Sequence, residues 1–158
     1  MPVALTSLKY FLATDLHGTI PSEFGLLRNL ELFQLVHSPS MKSSIPDTFA
    51  NLRKLEYLVL ADCGITGSIP QNLLMQLTDL EYLYLQRNFL TGTLNEFPSN
   101  YNKLAELKIF ENLLEGSLPL SLFEMSSLKY FDGTEESCWW ISLDIFAFSI
   151  FIPLRSQS

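Results

Sequence analysis

Residues 55–70 read LEYLVLADCGITGSIP. Within this stretch Leu58 and Leu60 alternate with Tyr57, Val59 and Ala61, the pattern of a strand with one buried face. The leucine pair returns as Leu83 and Leu85, then as Leu107 and Ile109, at a spacing of about 25 residues each time. One step further back, Phe33 and Leu35 occupy the same places, and Tyr130 and Phe131 stand where a further strand is due. The second half of the stretch also repeats. It is Leu16-x-Gly18-x-Ile20-Pro21, Ile65-x-Gly67-x-Ile69-Pro70, Leu90-x-Gly92-x-Leu94 and Leu114-x-Gly116-x-Leu118-Pro119, with a degenerate copy ending in Ile45-Pro46. Repetition of a multi-position motif at this period predicts a stack of short units, none able to bury its apolar face alone.

Each position in the unit has a physical task. Asn88 and Asn112 follow the strands and turn the chain, and their side chains have both donors and acceptors for backbone that has left the sheet. Cys63 occupies the same place and Ser38 approximates it; both keep a donor hydrogen. Cys63, Asn88 and Asn112 are therefore expected to form a structural ladder, and Cys63 is read as a turn residue, not a redox group. Gly67, Gly92 and Gly116 supply backbone angles that side chains disfavour. Pro21, Pro46, Pro70 and Pro119 end the extended run and open short helical turns. Later leucines, such as Leu52 and Leu55 or Leu77 and Leu80, return to the core.

At these residues the chain resembles the leucine-rich-repeat family, in its plant-type subclass with the LxGxIP signature. The resemblance covers about residues 5–135, as five to six units of about 25 residues each. It implies an α/β solenoid: a right-handed superhelix with one short parallel strand per repeat and an irregular or 3-10 convex side. Three places depart from the pattern. The first unit, from Phe11 to Leu16, lacks about two residues. The second has one extra residue near Pro39–Ser44. Residues 95–103, NEFPSNYNK, put Phe97-Pro98 where the convex segment usually starts. The resemblance also implies a cysteine-containing N-terminal cap, which the sequence does not show.

The second predicted segment is 136–158. Its run 138–154, CWWISLDIFAFSIFIPL, is apolar and is followed by Arg155. Three readings stand: an irregular cap over the last repeat, a membrane segment, or a gene-model artefact. Trp139 and Trp140 at one end and Arg155 at the other match interface anchors. The run is short for a bilayer, which asks for about 20 residues, and Asp144 interrupts it. Membrane association through 138–154 is accordingly weak.

Composition narrows the function classes. The 158 residues are 47% hydrophobic and 17% charged, which favours a packed core over disorder. The net charge of -7 disfavours nucleic acid and anionic membrane surfaces. Cys63 and Cys138 belong to no metal-ligand or disulfide pattern, so no metal site and no cofactor is expected. No catalytic motif is present, His17 and His37 lie in separate units, and no catalytic residue or enzyme activity is expected. The N-terminus lacks the basic and apolar regions of a signal peptide. The resemblance nevertheless places such proteins at the plasma membrane or outside the cell.

The variable strand positions carry the functional expectation. Stacking lines them into columns: Leu32, Tyr57, Tyr82, Glu106, Tyr130; then Gln34, Val59, Tyr84, Lys108, Asp132; then Val36, Ala61, Gln86, Phe110, Thr134; then His37, Asp62, Arg87, Glu111, Glu135. Their alternate neighbours are core leucines, so these columns face the concave side. The candidate ligand-binding residues are Tyr57, Tyr82, Tyr84, Arg87, Lys108, Phe110, Asp62 and Glu111, an aromatic centre with charges around it, as in protein-binding hot spots. Tyrosine is also a good strand residue in its own right. A further column, Glu31, Glu56 and Glu81, precedes the strands; solvent or a basic partner could offset its repulsion. The expected partner is a protein or peptide on the concave face, with the resemblance adding a receptor-like role in signalling. The alternatives are a structural or scaffold protein, or a partial gene product. The chain contains no kinase portion, so no kinase activity carries over.

Overall fold

The structure, a computed structural model, describes residues 6–133. The expected tail at 136–158, with its cap, membrane and artefact readings, lies outside them, as do Thr134 and Glu135. Among the described residues no helix is long and apolar enough to cross a membrane.

Each repeat contributes a strand to one parallel sheet. The strands of this sheet are β1 (Tyr10–Thr14), β2 (Leu32–Val36), β3 (Tyr57–Ala61), β5 (Tyr82–Tyr84), β7 (Glu106–Lys108) and β9 (Tyr130–Asp132), in that order. The register matches the sequence columns: Leu32 faces Tyr57, Tyr57 faces Tyr82, Tyr82 faces Glu106 and Glu106 faces Tyr130. In β2 and β3 burial alternates residue by residue, with Phe33, Leu35, Leu58 and Leu60 at the core and their neighbours half-buried. The convex side is irregular, as expected. Short 3-10 turns cover Ser22–Leu26 and Asp47–Asn51, and the helices α1 (Gln71–Gln76) and α2 (Leu120–Glu124) are one or two turns long. Pro21, Pro46, Pro70 and Pro119 cap all four, so the prolines act where the sequence places them.

A second parallel sheet adds to the expected one strand per repeat. Its strands are β4 (Thr66–Ser68), β6 (Phe89–Thr93) and β8 (Leu113–Glu115). These are the Leu-x-Gly-x segments, whose backbone extends and pairs with the same segment of the next unit. The short, largely exposed residues of this segment leave no period-2 apolar signal, so the sheet is set by backbone pairing alone. Gly67 and Gly92, both at φ 79, supply the left-handed angle within it.

The turn between the two sheets is the most regular part of the molecule. Asp15, His37, Asp62, Arg87 and Glu111 hold φ between 49 and 58, at the same place in five units. Such angles are disfavoured for residues with side chains. They are held by hydrogen bonds to the next unit: His37 N–H donates to Ala61 O at 3.1 Å, Asp62 N–H to Gln86 O at 3.1 Å and Arg87 N–H to Phe110 O at 3.0 Å. The following residue then points inward. Asn88 Nδ2 donates to Leu60 O at 2.6 Å and Leu85 O at 2.9 Å, while its Oδ1 accepts from Cys63 N–H at 3.1 Å and Ile65 N–H at 3.0 Å. Asn112 repeats the pattern on Leu85 O, Ile109 O and Leu90 N–H. Cys63 Sγ donates to Leu35 O and Ala61 O, and Ser38 Oγ donates to Val36 O and accepts from Leu16 N–H. Ser38, Cys63, Asn88 and Asn112 thus each bond to backbone of an adjacent unit.

The irregular units fit their departures. The first unit passes directly from Asp15 to Leu16 and has no rung of its own. An apolar cavity of about 250 Å³ lies there, lined among others by Phe11, Leu16, Ile20, Phe24, Phe33 and Met41. Phe97 and Tyr101 fill the convex core of the fourth unit, with ring centroids 5.2 Å apart. Gly64 in the third unit is constrained twice: it holds φ 63, and a Cβ there would lie 2.7 Å from Pro39 O and 2.9 Å from Met41 O, beside the extra residue of the second unit. The equivalent positions in the next two units hold Phe89 and Leu113, both more than half exposed. Gly64→Phe, which copies the next repeat, is therefore expected to lower the urea midpoint by an amount equivalent to at least about 2 kcal/mol. Phe89→Gly is expected to cost less than half of that. Equal effects would show that neither the left-handed angle nor the second unit constrains Gly64.

Candidate ligand-binding face

The sheet strands position the candidate residues, because every second side chain of β3, β5 and β7 leaves the core for the concave side. Tyr57 and Tyr82, paired in register, stack with centroids 4.6 Å apart and planes within 5°. Tyr84 stands edge-on to Tyr82, 6.1 Å between centroids. Lys108, in register with Tyr84, puts its Nζ 4.1 Å from the Tyr84 ring centre and 5.2 Å from that of Tyr130. Both distances are within cation–π range. The Tyr84 hydroxyl donates to Glu106 Oε2, and Lys108 Nζ lies 3.4 Å from the same carboxylate oxygen. Tyr57, Tyr82, Tyr84 and Lys108 thus form one connected group, with Glu106 and Tyr130 joined to it. The last two share the Tyr82 column, so the offset alone could have added them to the candidates.

Arg87, Phe110 and Glu111 form a second group. Arg87 Nε donates to Glu111 Oε2 at 3.1 Å and its guanidinium carbon lies 6.0 Å from the Phe110 ring centre. Asp62 stands apart from both groups, 3.0 Å from His37 Nδ1. Asp62, Arg87 and Glu111 are the residues with left-handed backbone, so they mark the rim where the sheet ends. The ion pair of Arg87 with Glu111 is more than half exposed on each side and contributes little to stability.

Burial and neighbours set the protonation behaviour of the face. Burial, followed by the hydrogen bond to Glu106, pushes the Tyr84 hydroxyl well above the usual phenol range. Burial also raises Tyr57, with the charges of Tyr82, Glu81 and Glu56 adding to it. Behind the face, burial pushes the Cys63 thiol up to about 11 from 9.0. Among the described residues no cluster of His, Cys, Asp or Glu has the arrangement of a metal site.

These features define the chain as a leucine-rich-repeat solenoid, and it belongs to the plant-type leucine-rich-repeat family. The Leucine Rich Repeat family model matches residues 54–74 and 79–101. Among solved structures, the leucine-rich-repeat ectodomain of the receptor kinase SOBIR1 from Arabidopsis thaliana is 30% identical. That match covers 80% of this chain and 67% of that one, with a TM-score of 0.68. The Arabidopsis receptor kinase HAESA ectodomain, in complex with an N-terminally extended IDA peptide hormone ligand, is 33% identical over 74% of this chain and 20% of that one. Its TM-score is 0.68. A plant ice-binding protein is 28% identical over 82% of this chain and 42% of that one, with a TM-score of 0.65. The chain spans about a fifth of the length of the peptide-hormone receptor structures it matches. A search of curated proteins gives no match.

The resolved shifts of the thiol and the phenols share one sign. Cys63, Tyr57, Tyr84, Tyr101 and Tyr130 all hold their protons more tightly in the folded chain than their usual values. The unfolded chain therefore releases these protons first as pH rises. Their contribution to stability is complete below about pH 9 and is lost as pH climbs through the folded value of about 11 at Cys63. Urea midpoints are expected to fall between pH 8.5 and 10.5. A midpoint that stays level or rises over that window would contradict the burial of these groups.

Proposed function

We propose that the chain is a peptide-binding module whose ligand lies along the concave sheet, as the recognition portion of a receptor-like signalling protein. The observation that carries this is the aromatic centre. Tyr57, Tyr82 and Tyr84 are half-buried, mutually packed and ordered by the sheet register, with Lys108 lying over Tyr84. Rigid aromatic side chains give contact area at low entropic cost, and a charged rim excludes alternatives. The candidate set is Tyr57, Tyr82, Tyr84 and Lys108 at the centre, with Arg87, Phe110, Glu111 and Asp62 at the rim. The HAESA structure, with its peptide hormone ligand, supports the same use of the fold.

We assign it no catalysis. Four charged groups of the face are tied to one another in pairs, Lys108 to Glu106 and Arg87 to Glu111. A scaffold without a ligand is the competing role, and likeness to an ice-binding protein shows that similar solenoids are not confined to receptors.

Selection of a random peptide display library against the immobilised chain separates the two. Enriched peptides are expected, and Tyr82→Ala with Tyr84→Ala is expected to weaken them by at least about ten-fold while circular dichroism stays unchanged. Peptides that bind this double variant as tightly as the parent chain would place binding elsewhere and favour the scaffold.

A further inference from the structure

The glutamate column before the strands is not uniform. Glu31 is spoken for: Lys9 Nζ lies 2.5 Å from its Oε1, and the Tyr10 hydroxyl donates to its Oε2 at 3.1 Å. These contacts hold its carboxyl below the usual range, the Lys9 hydrogen bond first. Glu56 and Glu81 carry no side-chain hydrogen bond and no ion pair among the described residues. The nearby lysines are committed elsewhere. Lys54 donates to Asn29 Oδ1 at 2.8 Å, and Lys103 pairs with Asp79 at 2.6 Å.

Both open carboxylates flank the stacked pair Tyr57–Tyr82, each being the residue just before a member of the stack. Their charges are felt at the Tyr57 hydroxyl, where Glu81 and Glu56 both act. The backbone ties the two positions side by side: Glu81 N–H donates to Glu56 O at 2.9 Å and Tyr82 N–H to the same oxygen at 3.0 Å. Like charges on adjacent strands repel, and the chain's own cations act on them only at a distance, Lys103 on both and Lys9 on Glu56, with no ion pair formed among the described residues. At the other end of the sheet the same chemistry is closed within the chain, where Lys108 lies over Tyr84 and against Glu106. Among the described residues the Tyr57–Tyr82 pair has the rings and the carboxylates of that arrangement without a cation paired to them.

We propose that this place receives an arginine side chain of the bound peptide, its guanidinium lying on the Tyr57–Tyr82 stack and bridging Glu56 and Glu81. A planar guanidinium suits both partners, since it stacks on aromatic faces and offers several N–H donors to carboxylates. The half-buried Leu32 and Val59 in neighbouring positions cover apolar parts of the same segment, and the net charge of -7 draws it in. The assignment rests on the concave-face reading above and adds the chemical class of the ligand to it.

The test uses the full chain and two acetylated tripeptide amides, Tyr-Arg-Tyr and Tyr-citrulline-Tyr, which differ only in the charge and donor set of the central side chain. Titrations are followed by NMR on the tyrosine ring signals. The arginine peptide is expected to shift Tyr57 and Tyr82 and to bind at least about ten-fold more tightly than the citrulline peptide. In Glu56→Gln with Glu81→Gln that advantage is expected to vanish, with unfolding unchanged or displaced to higher urea because a repulsion is removed. Equal binding of the two peptides, or a preference that survives in the double variant, overturns the arginine assignment and leaves the concave groove standing. Spermidine shifting the same signals as strongly as the arginine peptide overturns it too, by showing a site for any cation. No shift on the concave face with either peptide also overturns it, while the display selection judges the groove separately.

Discussion

The hydrogen bonds of Ser38, Cys63, Asn88 and Asn112 to the backbone of adjacent units are the interaction on which the rest depends. A solenoid must turn its chain out of the sheet once per unit, and each turn buries peptide groups that the sheet no longer satisfies. Asn88 alone engages carbonyls of its own unit and of the preceding one, and the amides of Cys63 and Ile65. The disfavoured backbone angles at Asp62 and Arg87 persist because the next unit's carbonyls hold their amides. Core leucines such as Leu58, Leu83 and Leu107 supply the larger driving force, but apolar burial has no direction. The ladder decides that the units stack in one register.

Register is what turns a repeat into a surface. Because Tyr57 faces Tyr82 and Tyr84 faces Lys108 across the sheet, side chains one whole unit apart in the sequence become neighbours. The same constraint sets two carboxylates side by side at Glu56 and Glu81, where an isolated strand would keep them in solvent. The ring pair and the paired charge are therefore properties of the stack, and a single unit has neither.

Much of this is legible in the sequence, because the period is long and the apolar positions are strict. The strand columns, the proline-opened turns and the Asn–Cys ladder follow from residue identity at fixed offsets. The second sheet is not legible: Thr66–Ser68 and Phe89–Thr93 pair through backbone and have mostly exposed side chains, which leaves no apolar pattern. The left-handed angles at Asp15, His37, Asp62, Arg87 and Glu111 are hidden for another reason. Their side chains share only polarity, and at Asp15, His37, Asp62 and Arg87 the neighbour's carbonyl reveals why the angle is tolerated. Gly64 has no mark of its own in the sequence, because its constraint comes from a left-handed backbone angle and from the carbonyls of the preceding unit. Within the face, the columns are readable, but the split between paired Glu31 and open Glu56 and Glu81 depends on where Lys9, Lys54 and Lys103 reach.

The most direct measurement of the central claim is native-state hydrogen exchange in Asn88→Ala. Removal of this side chain leaves the amides of Cys63 and Ile65 and the carbonyl of Leu60 buried without their partner, at a total cost of about 3 kcal/mol or more. The account predicts that protection collapses at Cys63 and Ile65 and falls at Tyr57–Ala61 and Tyr82–Tyr84 on either side. Protection unchanged beyond the two amides themselves, with stability within about 0.5 kcal/mol of the parent chain, would contradict it.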